Sequence, residues 1–368
     1  MKLTCKILLF AFICGKLTGQ STDWPIYHGK ADLSGRSEWQ LPENPKILWS
    51  YNSGSRSKSS PVISDGLIYF GTDKGTLIAC DIFGKLIWKF EAGSAVEAPP
   101  LVSGNRIIFS SADGALCAVD KKSGKFLWLY KTENQIAGSA NSWISGSKSG
   151  IVVGSYDFFL HCVDPETGKL FWKIETDNYI NGTPAISGNR IVFGGCDGMI
   201  RVVDPVSGKE KDTIEVGVYI AGSPALSDSK AFFGDYNGNF YCLNLSTRKY
   251  DWKKVSGDET GSIIAAPAVG EGSVVIGDDN KNINCYNISD GKLRWKFRTN
   301  GSIKGSSVIA GDKILATSMD GNVYILNLQD GTKKWNFNVG TPISSSPAVT
   351  KERFYILTED GRLMAFGL

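Results

Sequence analysis

Residues 111–128 read SADGALCAVDKKSGKFLW. An Asp-Gly turn leads into the short strand ALCAVD, a second turn (KKSGK) follows, and a strand bearing Trp128 closes the unit. Residues 195–212, GCDGMIRVVDPVSGKEKD, repeat that order, with Asp212 where the Trp should stand. Asp-Gly or Asn-Gly between apolar runs supplies the positive φ angles that a hairpin turn requires. Segments such as LIYFG, RIIFS, RIVFG and AFFGD carry β-branched and aromatic residues without helical periodicity, so each unit reads as short strands joined by tight turns.

Working outward, the tryptophans set the repeat length. Trp49, Trp88, Trp128, Trp172, Trp252, Trp295 and Trp335 are spaced 39, 40, 44, 80, 43 and 40 residues apart, and Asp212 marks the midpoint of the gap of 80. Twelve residues after each of these positions comes a Pro or a small residue: Pro61, Pro100, Ala140, Pro184, Pro224, Ser307 and Pro347, with Pro267 delayed by three. A glycine turn follows ten residues later, four late in GSYDF after the insertion at 146–150. Four strands per ~40 residues is the signature of a β-propeller. Eight such units are present, but the last stops at Leu368 before its Trp strand, while a spare one, ILWSY, precedes the first. The expected fold is therefore all-β: an eight-bladed propeller over 46–368, its ring closed by an N-terminal strand that completes the last blade. Pairing the ends removes a loose sheet edge.

Composition narrows the function. Forty Lys+Arg oppose 37 Asp+Glu, and three of the lysines (Lys2, Lys6, Lys16) lie in the first nineteen residues. The remainder balances at 37 against 37, which leaves no basic field for a nucleic acid partner. Two histidines, His28 and His161, argue against a His-based zinc site, and no metal site is expected. Residues 1–19 read as a signal peptide: Lys2 and Lys6 precede the apolar run 7–14, which is too short to span a bilayer. A buried N-terminal strand or helix is the plain alternative. Ile13 before Cys14 makes a poor acylation site, so a lipid anchor is not expected. Residues 20–45 form a lead-in segment. The expected product is an exported monomer, periplasmic, envelope-bound or secreted, without a transmembrane segment.

Recurrence also assigns roles. A Trp at a fixed strand position suits a filler of the seams between blades. Asp120, Asp164 and Asp204, with Asn244, Asn287 and Asn327 in the same place, are expected to bond the backbone of their own turns. Cys162, Cys242 and Cys285 alternate with Ala79, Ala118 and Ala365, as small buried hydrophobes do. Cys80 and Cys117 stand on the opposite strand parity, which permits a Cys117–Cys162 contact across a seam. Cys196, in a turn, should be the most exposed.

The unit DG-x-L-x-A-x-D-x-x-T-G-K-x-x-W resembles the pyrroloquinoline-quinone-type propeller repeat, and DWPIYHGKADLSG (23–35) is similar to the W-P-x-x-x-G lead-in of such propellers. That resemblance covers nearly the whole mature chain. It implies either a quinoprotein dehydrogenase oxidising alcohols or sugars, with quinone and calcium, or a non-catalytic scaffold of the BamB type, the outer-membrane protein assembly factor family. The adjacent Cys-Cys pair that many quinoprotein alcohol dehydrogenases carry is missing here, and the loops are nearly all minimal. The expectation is therefore a non-enzymatic scaffold with no catalytic residues and no cofactor. Its partner would be a protein, by resemblance a component of outer-membrane β-barrel assembly. A secreted propeller binding a glycan or another protein is the further alternative.

The site is expected where the repeat varies most in chemistry. Three residues before the Pro position stand Lys58, Glu97, Ala137, Asn181, Ala221, Ile264, Lys304 and Ser344, and two residues earlier Arg56, Gln135, Tyr179 and Tyr219. Arg56, Lys58, Glu97, Gln135, Tyr179, Asn181, Tyr219 and Lys304 are the candidate binding residues at the channel mouth, polar groups mixed with aromatics. A merely solvated rim is the alternative. The neighbouring series Val96, Ile136, Ile180, Ile220, Ile263, Ile303 and Ile343 is assigned to packing.

Overall fold

The computed structural model describes residues 23–257 and 261–368. The expected signal peptide with its cleavage point, and residues 258–260 of the blade-six insertion, lie outside the described residues. Eight sheets of antiparallel strands make the eight blades. In blade 1 the strands Val62–Ser64, Leu67–Gly71, Thr76–Asp81 and Leu86–Glu91 run in order from the innermost outward. The second and third strands of each blade are buried on both faces and read as near-continuous apolar runs, whereas the outermost strand is mostly exposed. Blade 8 takes its outer strand from the other end of the chain: Lys46–Asn52 pairs with Arg362–Gly367, as the spare ILWSY segment requires. Blade 7 gains a fifth strand, because Arg36–Ser37 pairs in parallel with Val308–Ala310.

The seams between blades form the core, and one motif repeats in them. In six outer strands the Trp lies opposite a small residue of the third strand, as Ala79 faces Trp88, Ala118 faces Trp128, Cys242 faces Trp252 and Ala365 faces Trp49, whereas in blade 7 Trp335 faces Ile325 and packs edge-on against Phe354 and Phe366. The indole reaches into the next blade. Its Nε1–H donates to a carbonyl in that blade's outer turn, from Trp88 to Lys121 at 3.2 Å, Trp128 to Pro165 at 3.1 Å and Trp295 to Leu328 at 2.9 Å. The ring lies flat on the turn's glycine. A Cβ on Gly124 would fall 2.7 Å from the Trp88 ring, and one on Gly168 2.5 Å from that of Trp128. Glycine is thus required twice here, for positive φ and for close approach. An Asp or Asn heads each such turn and bonds its backbone, as Asp120 Oδ1 does with the amides of Lys122 and Ser123 and Asn327 Oδ1 with those of Gln329 and Asp330.

The seam without a Trp shows a compensating change. Asp212 replaces the Trp of blade 4, and Arg248, at φ 61°, replaces the glycine of the blade 5 turn. Arg248 Nε and Asp212 Oδ1 meet at 2.7 Å, so an ion pair stands where a ring would stack on glycine.

All six described cysteines are free. Cys117 packs in the seam between blades 1 and 2, and Cys162 in the seam between blades 3 and 4, so the Cys117–Cys162 contact allowed by strand parity does not form. Burial pushes the Cys80, Cys162 and Cys242 thiols up to about 12, which keeps them protonated and inert. Cys196 is the least buried, as its turn position suggested.

Two stability changes follow. Trp128→Ala should lose about 3–5 kcal/mol in denaturant unfolding, the cost of a large cavity plus a lost bond. Asp212→Trp alone should lower the melting temperature by driving an indole into Arg248, and adding Arg248→Gly should recover it. A double variant no more stable than the single one would refute the equivalence of the two pairs.

Candidate functional site

The lead-in segment closes the propeller's channel. Trp24 exchanges two backbone bonds with Ile63 of blade 1, at 2.9 and 2.8 Å. The carbonyls of Pro25, Ala31, Asp32, Ser34 and Gly35 then accept the amides of Val102, Ile186, Leu226, Val269 and Ile309 at 2.7–2.9 Å. These amides belong to the innermost strands of blades 2, 4, 5, 6 and 7. In blade 3 the Asn141 amide side chain donates to Ala31 O at 2.8 Å. His28 is buried beneath, its ring nitrogens 2.7 Å from Leu33 O and 2.9 Å from Ser307 O.

Above this segment lies a funnel of ≈ 290 Å³ with Tyr27 in its floor. The Tyr27 hydroxyl bonds Ser306 Oγ at 2.7 Å, and burial raises its phenol above the usual range, so it stays protonated. Around it runs a collar of hydroxyls, one residue before six of the eight Pro positions, with Pro99 and Ala266 at the other two. Thr183, Ser223, Ser306, Ser346 and Ser60 each accept a backbone amide from the preceding blade, at 2.8–3.0 Å. The collar ties neighbouring blades at the axis as the tryptophans tie them at the periphery. It also turns the hydroxyl protons into donors, since each oxygen has already accepted a bond. Ser139, in the same position in blade 3, is buried, and its Oγ has no protein partner.

All eight residues three before the Pro position line this funnel, which brings Lys58, Glu97, Asn181 and Lys304 together. Lys58 Nζ and Glu97 Oε1 pair at 3.2 Å. The apolar series packs instead, with Val96, Ile180, Ile220 and Ile303 fully buried against the backbone of Gly71, Gly154, Gly194 and Gly277. The other four candidates stand on the outer lip. Arg56 approaches Glu359 at 3.6 Å and lines a side cleft with Asp73 and Glu97. The Gln135 carbonyl accepts the Tyr156 amide at 2.9 Å. Tyr179 stacks on Tyr156 with ring centroids 4.5 Å apart, and the Tyr156 hydroxyl donates to Asn181 Oδ1, which couples lip and funnel. Tyr219 is 58% exposed beside Tyr236, whose amide it accepts.

Sequence reasoning missed Tyr27, the collar, Tyr156 and Tyr236. The collar left a trace in the Ser or Thr before six of the eight Pro positions, legible only once those residues are known to face one another. Tyr27 left none, because nothing local says that the lead-in enters the channel.

The funnel does not fit a quinone held with calcium. Glu97 is the single carboxylate among its lining residues, and it is tied to Lys58. Among the described residues, no three or more His, Cys, Asp or Glu side chains are placed to hold a metal ion. No helix in the described chain is long and apolar enough to cross a membrane.

Comparison with known proteins places this geometry. The sequence profile of the family described as outer membrane protein assembly factor BamB matches residues 32–156, 145–211 and 252–368. Curated proteins return no match. Among solved structures, BamB from Moraxella catarrhalis superposes with a TM-score of 0.74 at 18% identity, over 88% of this chain and 100% of that one. A europium-containing methanol dehydrogenase gives 0.82 at 12%, over 94% and 98%. Quinohemoprotein alcohol dehydrogenase from Comamonas testosteroni gives 0.78 at 14%, over 94% and 80%. At these identities the likeness is one of fold, and it spans scaffold and enzyme alike.

A pH dependence follows from the two histidines. Burial pushes the His28 and His161 pKa values below 6.5, and His161, whose ring meets one acceptor and one donor, is neutral when folded. His161 donates from Nε2 to Asp157 at 3.0 Å and accepts the Tyr130 hydroxyl on Nδ1 at 2.9 Å. The stability this contributes is present above about pH 6.5, the unfolded value, and is lost as pH falls toward the lowered folded values. Thermal melts should therefore drop between pH 7 and 5, and His161→Gln, which keeps one donor and one acceptor, should flatten part of that slope. An unchanged slope in the variant would show that His161 does not titrate there.

Proposed function

The chain belongs to the BamB family of propellers, and from that premise we propose that it is an exported, non-catalytic scaffold whose funnel face captures a protein partner in the cell envelope. The observation that carries this reading is the contrast within the repeat. Turns and six of the eight seams keep one chemistry around the ring, while the funnel and its lip carry Lys58, Glu97, Asn181, Lys304 and exposed tyrosines in no repeating order. A merely structural position has no reason to differ between blades. Exposed aromatics beside a mixed-charge rim suit a protein surface. By family, the partner is a component of outer-membrane β-barrel assembly. The enzyme reading draws on the dehydrogenases of like fold, but it finds in the funnel neither a carboxylate cluster nor a closed pocket.

Alanine substitutions at Lys58, Glu97, Tyr179 and Lys304, introduced together, should reduce partner capture in envelope crosslinking by about tenfold or more, as loss of interface centres does. The melting temperature should stay put, since these side chains are exposed or half-buried. Undiminished capture would rule out the funnel face. Calorimetric titration with pyrroloquinoline quinone and calcium is expected to give no heat, and micromolar one-to-one binding would restore the dehydrogenase reading.

A further inference from the structure

The funnel lining holds more hydrogen-bond donors than acceptors, which limits what can fill it. Ser139 is 1% exposed, yet its Oγ has no protein partner, and Ser344 Oγ, also in the lining, is buried without one. Ser223 and Ser346 face the Tyr27 hydroxyl, which can accept their protons. The protons of Ser60 and Thr183, whose oxygens already hold an amide, find no acceptor among the described residues. Asn181 engages the Tyr156 hydroxyl through Oδ1, so its two side-chain N–H donors stay open.

Charge points the same way. Lys58 and Lys304 oppose the one carboxylate of Glu97, so the lining carries a single positive charge, and no described carboxylate pairs with Lys304. Two further acids near the mouth, Asp73 and Glu359, stand in the side cleft, where the Ser55 hydroxyl meets Asp73 at 2.6 Å and Arg56 faces Glu359. One added carboxylate answers both imbalances, with two acceptor oxygens and one negative charge. The funnel also restricts how that carboxylate arrives. Tyr27 and the lead-in close it below, so a chain can enter but not pass through. A loop would carry two stretches of backbone, with their own N–H donors, into a lining already short of acceptors. A carboxyl end enters in single file and leads with acceptors alone.

The lip offers a rest for the residues behind such an end. Phe158 holds φ at 73° in the turn where six other blades have glycine. A bulky side chain is strained in that conformation. Its ring is not buried in return: it is 38% exposed and lies against Tyr179, ring centroids 5.3 Å apart. Tyr156, stacked on Tyr179, and the exposed Tyr219 and Tyr236 extend this aromatic side of the lip. We propose that the funnel captures the free carboxyl terminus of a polypeptide, its carboxylate between the hydroxyl collar and Lys304 and the preceding side chains against the aromatic lip. This names the chemistry by which the partner is recognised, and it rests on the funnel being the capture face.

The test is retention of the purified full chain on a randomised pentapeptide library, anchored by its N-termini and ending in a free carboxylate, against the same library amidated. The wild type should be retained about tenfold more strongly by the acid, the scale of charge-assisted hydrogen bonds. Ser139→Ala should lose much of that preference at an undiminished melting temperature, because the hydroxyl bonds nothing in the protein. Lys304→Gln should lose about tenfold on the acid library and little on the amide. Phe158→Gly should weaken retention while the melting temperature holds or rises, a split that a purely structural role would not produce. Equal retention of acid and amide overturns the proposal, and the funnel reading survives that result if the quadruple alanine variant still loses envelope capture. An acid preference that persists in both Ser139→Ala and Lys304→Gln puts the carboxylate elsewhere and overturns it as well. Acetate competing as strongly as the eluted peptide acids would assign the site to small free carboxylates, against a chain terminus.

Discussion

Six of this propeller's eight seams are closed by an indole lying flat on the glycine of the next blade. The contact is inter-blade by necessity: a four-stranded sheet has two apolar faces and cannot bury either alone. The indole fills the wedge that opens between blades toward the periphery, and its N–H satisfies a turn carbonyl that would otherwise be blocked from water. Only a residue without Cβ can lie beneath the ring, and only one tolerant of positive φ can make the turn. One residue type meets both demands. The seam without a Trp obeys the same logic, since Asp212 and Arg248 changed together: an arginine in the turn leaves no plane for a ring to rest on, and its charge needs a partner. An exposed ion pair contributes little, so that seam relies on the apolar packing around it, including Tyr241 and Tyr250 at 5.5 Å.

A second set of bonds holds the ring at its axis. The hydroxyl collar and the lead-in segment act at the narrow end of the wedge, where strands from eight blades converge. Backbone carbonyls of the lead-in take amides that would otherwise line an open channel unpaired. The same arrangement shapes the funnel. It gives it a polar, donor-rich floor, so the site is a by-product of how the ring is closed.

Eightfold repetition makes the surface readable, because each position has seven internal comparisons. Where all copies agree, packing or turn geometry accounts for the residue. Where they differ without order, as on the funnel lip, architecture imposes nothing.

The repeat length, the Trp and Pro spacing and the unequal ends determined the blade number, the closing strand and the seam role of the tryptophans, because these follow from local periods that a strand and a tight turn impose. The eight funnel residues were legible for the same reason: a fixed offset from the Pro position places them at one height around one axis. What tertiary structure alone decided is whatever joins residues distant in the chain. The Arg248 replacement carries meaning only beside Asp212, the serine collar only as a ring, and Cys117 and Cys162 proved to lie in different seams although their strand parity allowed them to meet. The path of the lead-in through the channel, with Tyr27 some 280 residues from the Ser306 it bonds, is set by unpaired amides that exist only once the ring has formed.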